Sequence, residues 1–217
     1  MEVKIKMKRF ATVLLSVLLL VVLCACGSMK KTLLSTTWVN VNDGDEYVFQ
    51  NDGKGTHGDV EISYKIEEGE IIVTEGVASA KSKTFALEDA GDMKKLIAKD
   101  EDTYYVPAEK YEEIGEKVRK ENMAVLTSVQ AWKTTSNNTA FLMFLESSDG
   151  KKGVGYWLTT GTTLWTNWEM VDNNTVKIEL EYDGSKMSQV LDIVTKDGQS
   201  VLADASTGQV RWTQSKQ

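Results

Sequence analysis

The chain has 217 residues and is acidic, with 32 Asp and Glu against 25 Lys and Arg, a net charge of −7 and a pI of about 4.9. A body of that charge is unsuited to nucleic acid, whose binding draws on Lys and Arg set against phosphates. His57 is the only histidine, which excludes a multi-histidine metal site, and the two cysteines, Cys24 and Cys26, sit too early to give a disulfide framework.

Lys4, Lys6, Lys8 and Arg9 open the chain, and an apolar run follows from Phe10 to Leu23, broken only by Thr12 and Ser16. A basic start followed by such a run describes a secretory signal. An uncleaved membrane anchor is the alternative, but a bilayer takes ~20 apolar residues and this run is shorter. Leu23-Cys24-Ala25-Cys26 resembles the lipobox of bacterial lipoproteins, a small-residue cleavage site followed at once by the cysteine that receives the lipid. The resemblance covers residues 1–26. It implies lipidation at Cys26 and a protein held to the extracytoplasmic face of the cell membrane. Residues 1–25 are then a signal peptide, expected as a helix, and residues 26–31 a lipidated tether.

The signal would take four positive charges and one negative charge with it, so the remaining chain is more acidic than the whole. Two acyl chains, at ~0.8 kcal/mol per buried methylene, hold far more firmly than one. Residues 27–31, if extended, span ~18 Å at ~3.5 Å per residue, which puts Lys30 and Lys31 at headgroup level.

From Thr32 the pattern becomes short apolar runs between turn residues, the spacing of an all-β fold. Ile62, Tyr64 and Ile66 alternate with Glu61, Ser63, Lys65 and Glu67, and Val176, Ile178, Leu180 and Tyr182 alternate with Lys177, Glu179 and Glu181. Period two with charges on the other face predicts strands half-buried against a core. Asp43-Gly44, Asn51-Asp52-Gly53, Glu68-Gly69, Asp149-Gly150, Asn173-Asn174, Asp183-Gly184 and Asp197-Gly198 supply residues that tolerate φ > 0 in turns.

One segment breaks this pattern. Pro107 stands where a helix can start, Glu109, Glu112 and Glu113 follow it, and Lys117, Arg119 and Lys120 close it, in the order the helix dipole favours. Tyr111, Ile114 and Val118 share one side, and Glu113 with Lys117 and Glu116 with Lys120 are i,i+4 pairs. Gly115 costs ~1 kcal/mol against alanine. Asn122 is the expected left-handed stop, giving a linker helix over residues 107–122.

On either side of it the sequence repeats. Trp38, Tyr47-Val48-Phe49 and Asp52-Gly53-Lys54-Gly55 are echoed by Trp132, Phe141-Leu142-Met143-Phe144 and Asp149-Gly150-Lys151-Lys152-Gly153. A tryptophan near the first strand, an aromatic-rich strand before Asp-Gly-Lys and then several short strands resemble the lipocalin-like (calycin-type) small domains of Gram-positive lipoproteins. The glycine that precedes the tryptophan in that family is missing from both halves. The resemblance implies β-barrels, each closed near its tryptophan by a basic residue, for which Arg211 is the candidate.

Enzyme signals are weak. His57 lies in Gly55-Thr56-His57-Gly58, which reads as an exposed turn, and no Gly-x-Ser-x-Gly occurs. Ser28-Met29-Lys30-Lys31 matches Ser-x-x-Lys by letter only. Asn42-Asp43-Gly44-Asp45-Glu46 departs from EF-hand spacing and reads as a hydrated turn. No catalytic residue, metal or cofactor is expected. The second half concentrates Trp157, Trp165 and Trp168, for which burial in the core is the ordinary reading. Trp165 and Trp168 are an odd number of residues apart, so on a strand without a bulge they face opposite ways. One of them is then an outward indole, and with Trp157 the cluster is the candidate ligand site.

The sequence thus predicts an all-β protein of two tandem, antiparallel, lipocalin-like barrel modules, residues 32–106 and 123–217, joined by one short helix. A single larger barrel is the alternative. The expected function is non-enzymatic binding of a small apolar or glycan ligand at the cell membrane, with a structural or interaction protein of the envelope as the competing class.

Overall fold

The structure is a computed structural model, and it describes residues 27–76, 81–101, 103–136, 139–145 and 151–215. Each half of the chain closes on itself as an eight-stranded antiparallel barrel in which sequence neighbours pair. The first half opens with a short helix, α1 (27–33). Its strands are β1 (Trp38–Asn40), β2 (Glu46–Phe49), β3 (Lys54–His57), β4 (Val60–Glu67), β5 (Glu70–Glu75), β6 (Lys81–Ala90), β7 (Met93–Ala98) and β8 (Tyr104–Pro107). The helix α2 (Ala108–Ser128) opens the second half. Behind it run β9 (Trp132–Thr134), β10 (Ala140–Phe144), β11 (Lys152–Thr159), β12 (Thr162–Met170), β13 (Thr175–Tyr182), β14 (Ser185–Lys196), β15 (Gln199–Asp204) and β16 (Val210–Gln214). Two closed barrels joined by one helix replace the alternative of a single larger barrel. By compactness the second unit comprises Glu109–Gln217 together with Asn40–Gly44.

The alternation read from the sequence sets the register. Ile62, Tyr64 and Ile66 face the first core, and Val176, Ile178 and Leu180 the second, with their charged neighbours outside. Glu68-Gly69, Asp183-Gly184 and Asp197-Gly198 form two-residue hairpin loops in which both residues have positive φ, between 50° and 83°. That geometry matches the twist of the strands it joins.

Strand pairing shows how closely the halves repeat. In the first barrel one row runs Trp38, Tyr47, His57, Val60, and in the second the same row runs Trp132, Leu142, Trp157, Leu164. The next row is Phe49, Gly55, Ile62, Glu75 in the first and Phe144, Gly155, Thr166, Leu180 in the second. Gly55 therefore corresponds to Gly155 and not, as the sequence echo has it, to Gly153. The reason is steric: a Cβ at Gly55 would lie 2.1 Å from the Val48 carbonyl oxygen, and one at Gly155 2.1 Å from that of Met143. Each row tryptophan is fully buried and donates its indole N–H to the helix before it, Trp38 to Leu33 O at 3.0 Å and Trp132 to Leu126 O at 3.3 Å. Leu33 and Leu126 are themselves fully buried, so each helix closes one end of its barrel.

Three boundaries differ from the sequence reading. Pro107 ends β8, so the helix begins one residue later, and it runs on to Ser128 because Asn122 donates to Asn173 O at 2.9 Å instead of turning left-handed. Past it, Leu126 is buried in the second core while Met123 and Val125 pack against that core. Glu116 and Lys120 pair at 2.7 Å as expected, whereas Lys117 reaches Glu121 and Glu113 meets Lys110. The stretch expected as an extended tether is helical from residue 27, Met29 packs on the first core, and Lys30 donates to Asn51 O at 2.9 Å.

Candidate functional site

The wall of the second barrel is closed, but it is notched at one end. β11 and β12 are paired from Lys152–Glu169 up to Thr159–Thr162, and β13 and β14 from Thr175–Asp192 up to Tyr182–Ser185. Between these two hairpins, pairing of β12 with β13 stops at Thr166–Leu180, although β12 begins at Thr162 and β13 continues to Tyr182. Beyond Thr166 and Leu180 the hairpins diverge, at the barrel end opposite α2.

Met187 pairs with Leu180 and Gln189 with Ile178, so both point inward with their partners. Met187 is nonetheless 49 % exposed, because nothing in the wall covers it there. A cavity of about 380 Å³ lies inside, lined by Trp157, Ile178, Leu180, Met187, Ser188 and Gln189. A cleft of about 670 Å³ runs along the gap, with Leu164 and Trp165 on the β12 side, Leu180 and Glu181 on the β13 side, and Lys186 and Met187 on β14. Leu180, Met187 and Ser188 line both, so cleft and cavity are continuous. The cavity's volume and its apolar lining with few polar groups are those of a small-molecule site, while the cleft that leads to it is lined mainly by polar side chains.

The tryptophans divide. β12 runs without a bulge, and Trp168 is 2 % exposed in the core, edge-on to Phe144 at 5.9 Å and donating to Val154 O at 2.9 Å. Gly153 faces it, where a Cβ would come within 2.7 Å of the Trp168 ring. Trp165 is 63 % exposed at the outer lip and packs on Tyr156 with ring centroids 4.4 Å apart. Trp157 lines the inner cavity and meets Trp212 edge-on at 4.9 Å, while the Trp212 indole donates to Gln189 Oε1. Trp157 and Trp165 thus face inward and outward on the one hairpin that borders the opening, and Trp168 takes no part in it. Cys26 lies outside the described residues, as does the Asp149-Gly150 turn.

Sequence reasoning missed Leu164, Leu180 and Met187, and it missed the polar counterpart in the first barrel. His57 is no exposed turn: it is the last residue of β3, its side chain only 16 % exposed. Its ring stacks on Tyr47 at 4.1 Å and its Nδ1 donates to Glu75 Oε1 at 2.9 Å; the Tyr47 hydroxyl donates to the same oxygen at 2.8 Å. Burial and that bond to Glu75 push the Tyr47 phenol far above its ordinary pKa. His57 Nε2 is buried without a hydrogen-bond partner, 3.7 Å from Asp45 Oδ2. Where the second barrel holds Leu142, Trp157 and Leu180, the first holds Tyr47, His57 and Glu75.

Arg211 does not cross Trp132. Trp212 takes the inward position of β16, so Arg211 faces out and meets Asp204 at 3.4 Å. On the outer face beside the cleft, Lys177 bonds Glu179 at 2.7 Å, holding that carboxyl below the usual range and the ammonium above its own. Among the described residues no group of three or more His, Cys, Asp and Glu is placed to hold a metal ion, and no helix is long and apolar enough to cross a membrane. No family model, curated protein or solved structure matches the chain.

Proposed function

We propose that the protein is a non-enzymatic, lipid-anchored binding protein on the extracytoplasmic face of the cell membrane, and that its second barrel holds a small apolar ligand. The anchor rests on the lipobox at residues 23–26. The ligand rests on one observation, the apolar cavity of about 380 Å³ continuous with a side opening rimmed by Trp165. A glycan ring would use the exposed Trp165 face instead, since a flat indole offers stacking area at little entropic cost. The competing reading, an interaction protein of the envelope, draws on the first barrel, where Tyr47, Phe49, Tyr64, Phe85 and Tyr105 pack the interior.

Native mass spectrometry of the protein extracted from its own membrane tests the ligand. The expected result is a one-to-one adduct of apolar mass that Leu180→Trp removes. An extract carrying only the lipidated protein without an adduct, or an adduct that survives that substitution, contradicts the reading. Cys26→Ala should abolish incorporation of labelled palmitate, and labelling that persists would overturn the anchor.

A further inference from the structure

We propose that the ligand of the second barrel is a single-tailed amphiphile that enters sideways, between β12 and β13, with its apolar chain in the lumen and its polar end held at the lip. The inference rests on the apolar-ligand reading above and adds a route and a chemical class to it. The route follows from the pairing. A closed eight-stranded wall has no gap wide enough for a chain, since neighbouring strands lie ~4.8 Å apart. Here the ladder between β12 and β13 ends at Thr166–Leu180 while both strands continue toward the open end. The opposite end is shut by α2, with Leu126 fully buried and Val129 packed on the core.

The class follows from how polarity changes along that path. Outside the gap stand Thr163, Asn167, Glu181 and Lys186. Inside stand Trp157, Ile178, Leu180 and Met187, with Gln189 already engaged by the Trp212 indole. A wholly apolar molecule would leave the polar lip facing hydrocarbon, and a wholly polar one would desolvate against Trp157 and Ile178. A molecule with one apolar chain and one polar end satisfies both. Met187, an unbranched side chain half-exposed at the boundary, can adjust to the passing chain.

In the first barrel the β4–β5 ladder ends at the equivalent row, Ile62–Glu75, but the interior there carries Tyr47 and His57 both bonded to Glu75. An apolar tail at that place would have to break those bonds. The site therefore belongs to the second barrel alone.

The test closes the gap reversibly. Residues 27–217 contain both barrels and no native cysteine, so they can be studied free of detergent and of competing thiols. Trp165→Cys with Glu181→Cys places two exposed thiols one residue beyond the last paired row, within disulfide reach of strands that start from Thr166–Leu180. The probe is a monoacylglycerol with a pyrene-labelled chain, followed by fluorescence anisotropy. The reduced variant should bind it, more weakly than the wild type for want of the Trp165 ring, the oxidised variant should bind about tenfold more weakly again or worse, and reduction should restore the reduced value. Met187→Trp plugs the same opening without a cross-link and should show a similar loss. An oxidised variant that binds as its reduced form does, with a Met187→Trp protein that binds as the wild type does, would overturn the side entry and leave the apolar-ligand reading standing. A wild-type protein that takes up no probe would overturn both.

Discussion

At the scale of single residues, two side-chain arrangements carry sharp consequences. The Asp204 carboxylate accepts from the backbone N–H and the hydroxyl of both Ser206 and Thr207, at 2.6 to 3.1 Å, which ties the loop between β15 and β16. Those bonds to its ionised form pull its pKa down to about 2. With the folded value below the unfolded one of ~3.9, the stabilisation is present above ~3.9 and is lost as pH falls through about 2. The melting temperature of the wild type should therefore fall more steeply between pH 4 and pH 2 than that of Asp204→Ala, and parallel curves would refute this role. Gly155 makes the opposite kind of point. Its φ is ordinary, and what excludes a side chain is the Met143 carbonyl 2.1 Å from any Cβ. Gly155→Ala should cost about 3 kcal/mol in denaturant unfolding, the upper end of overpacking, and Gly55→Ala should match it for the same reason.

At the scale of elements, α2 shows which effect wins where propensity and packing disagree. Gly115 weakens the helix by ~1 kcal/mol relative to alanine. It is also buried, and a Cβ there would meet Asn173 Nδ2 at 2.5 Å, the nitrogen that donates to Val41 O at 2.7 Å. Losing that buried bond costs about 1–3 kcal/mol, so Gly115→Ala should destabilise the protein despite the better helix former. A stabilised variant would contradict the packing account. The same contest explains the missed helix end. Tyr111, Ile114 and Val118 are legible as one face, but the capping signal at Asn122 was outweighed by a partner, Asn173, that sequence alone does not bring near.

β12 is the element most fully legible, since spacing alone separates Trp165 from Trp168 once the strand is regular. Trp168→Ala should cost about 3–5 kcal/mol of stability. Trp165→Ala should stay within ~0.5 kcal/mol and weaken uptake of an apolar probe. If both unfold the protein, Trp165 is not the exposed lip residue described. The opening beside it left one readable trace. On the inward face of β14 the residues run Ile193, Leu191, Gln189, Met187, Ser185, from apolar to mixed, which marks where the core stops. The divergence of β12 from β13 left none, because it depends on where a ladder ends and not on which residues compose it.

At the scale of the whole molecule, the barrels are two copies of one pattern put to different ends. The tryptophan after a helix, the shared rows and the paired glycines Gly55 and Gly155 are common to both. The two modules were legible from the repeat because these constraints sit in the backbone, where substitution is strongly destabilising. What diverged is the inside of the open end, where only side-chain volume and polarity are constrained. Tyr47 and His57 both bond Glu75 in the first barrel, and Trp157 and Leu180 line an apolar cavity in the second. His57 looked like a turn residue because its glycine neighbours were visible and its partner Glu75, a strand pair away, was not.

The central claim is that the second barrel alone holds an apolar chain. NMR of methionine methyls and tryptophan indoles in residues 27–217, titrated with the monoacylglycerol, tests it most directly. The account predicts saturable shifts at Met187, Trp157 and Trp165, with Trp38 and Trp168 nearly unmoved. Shifts centred on Trp38, or none at Met187 and Trp157 at saturating probe, would contradict it.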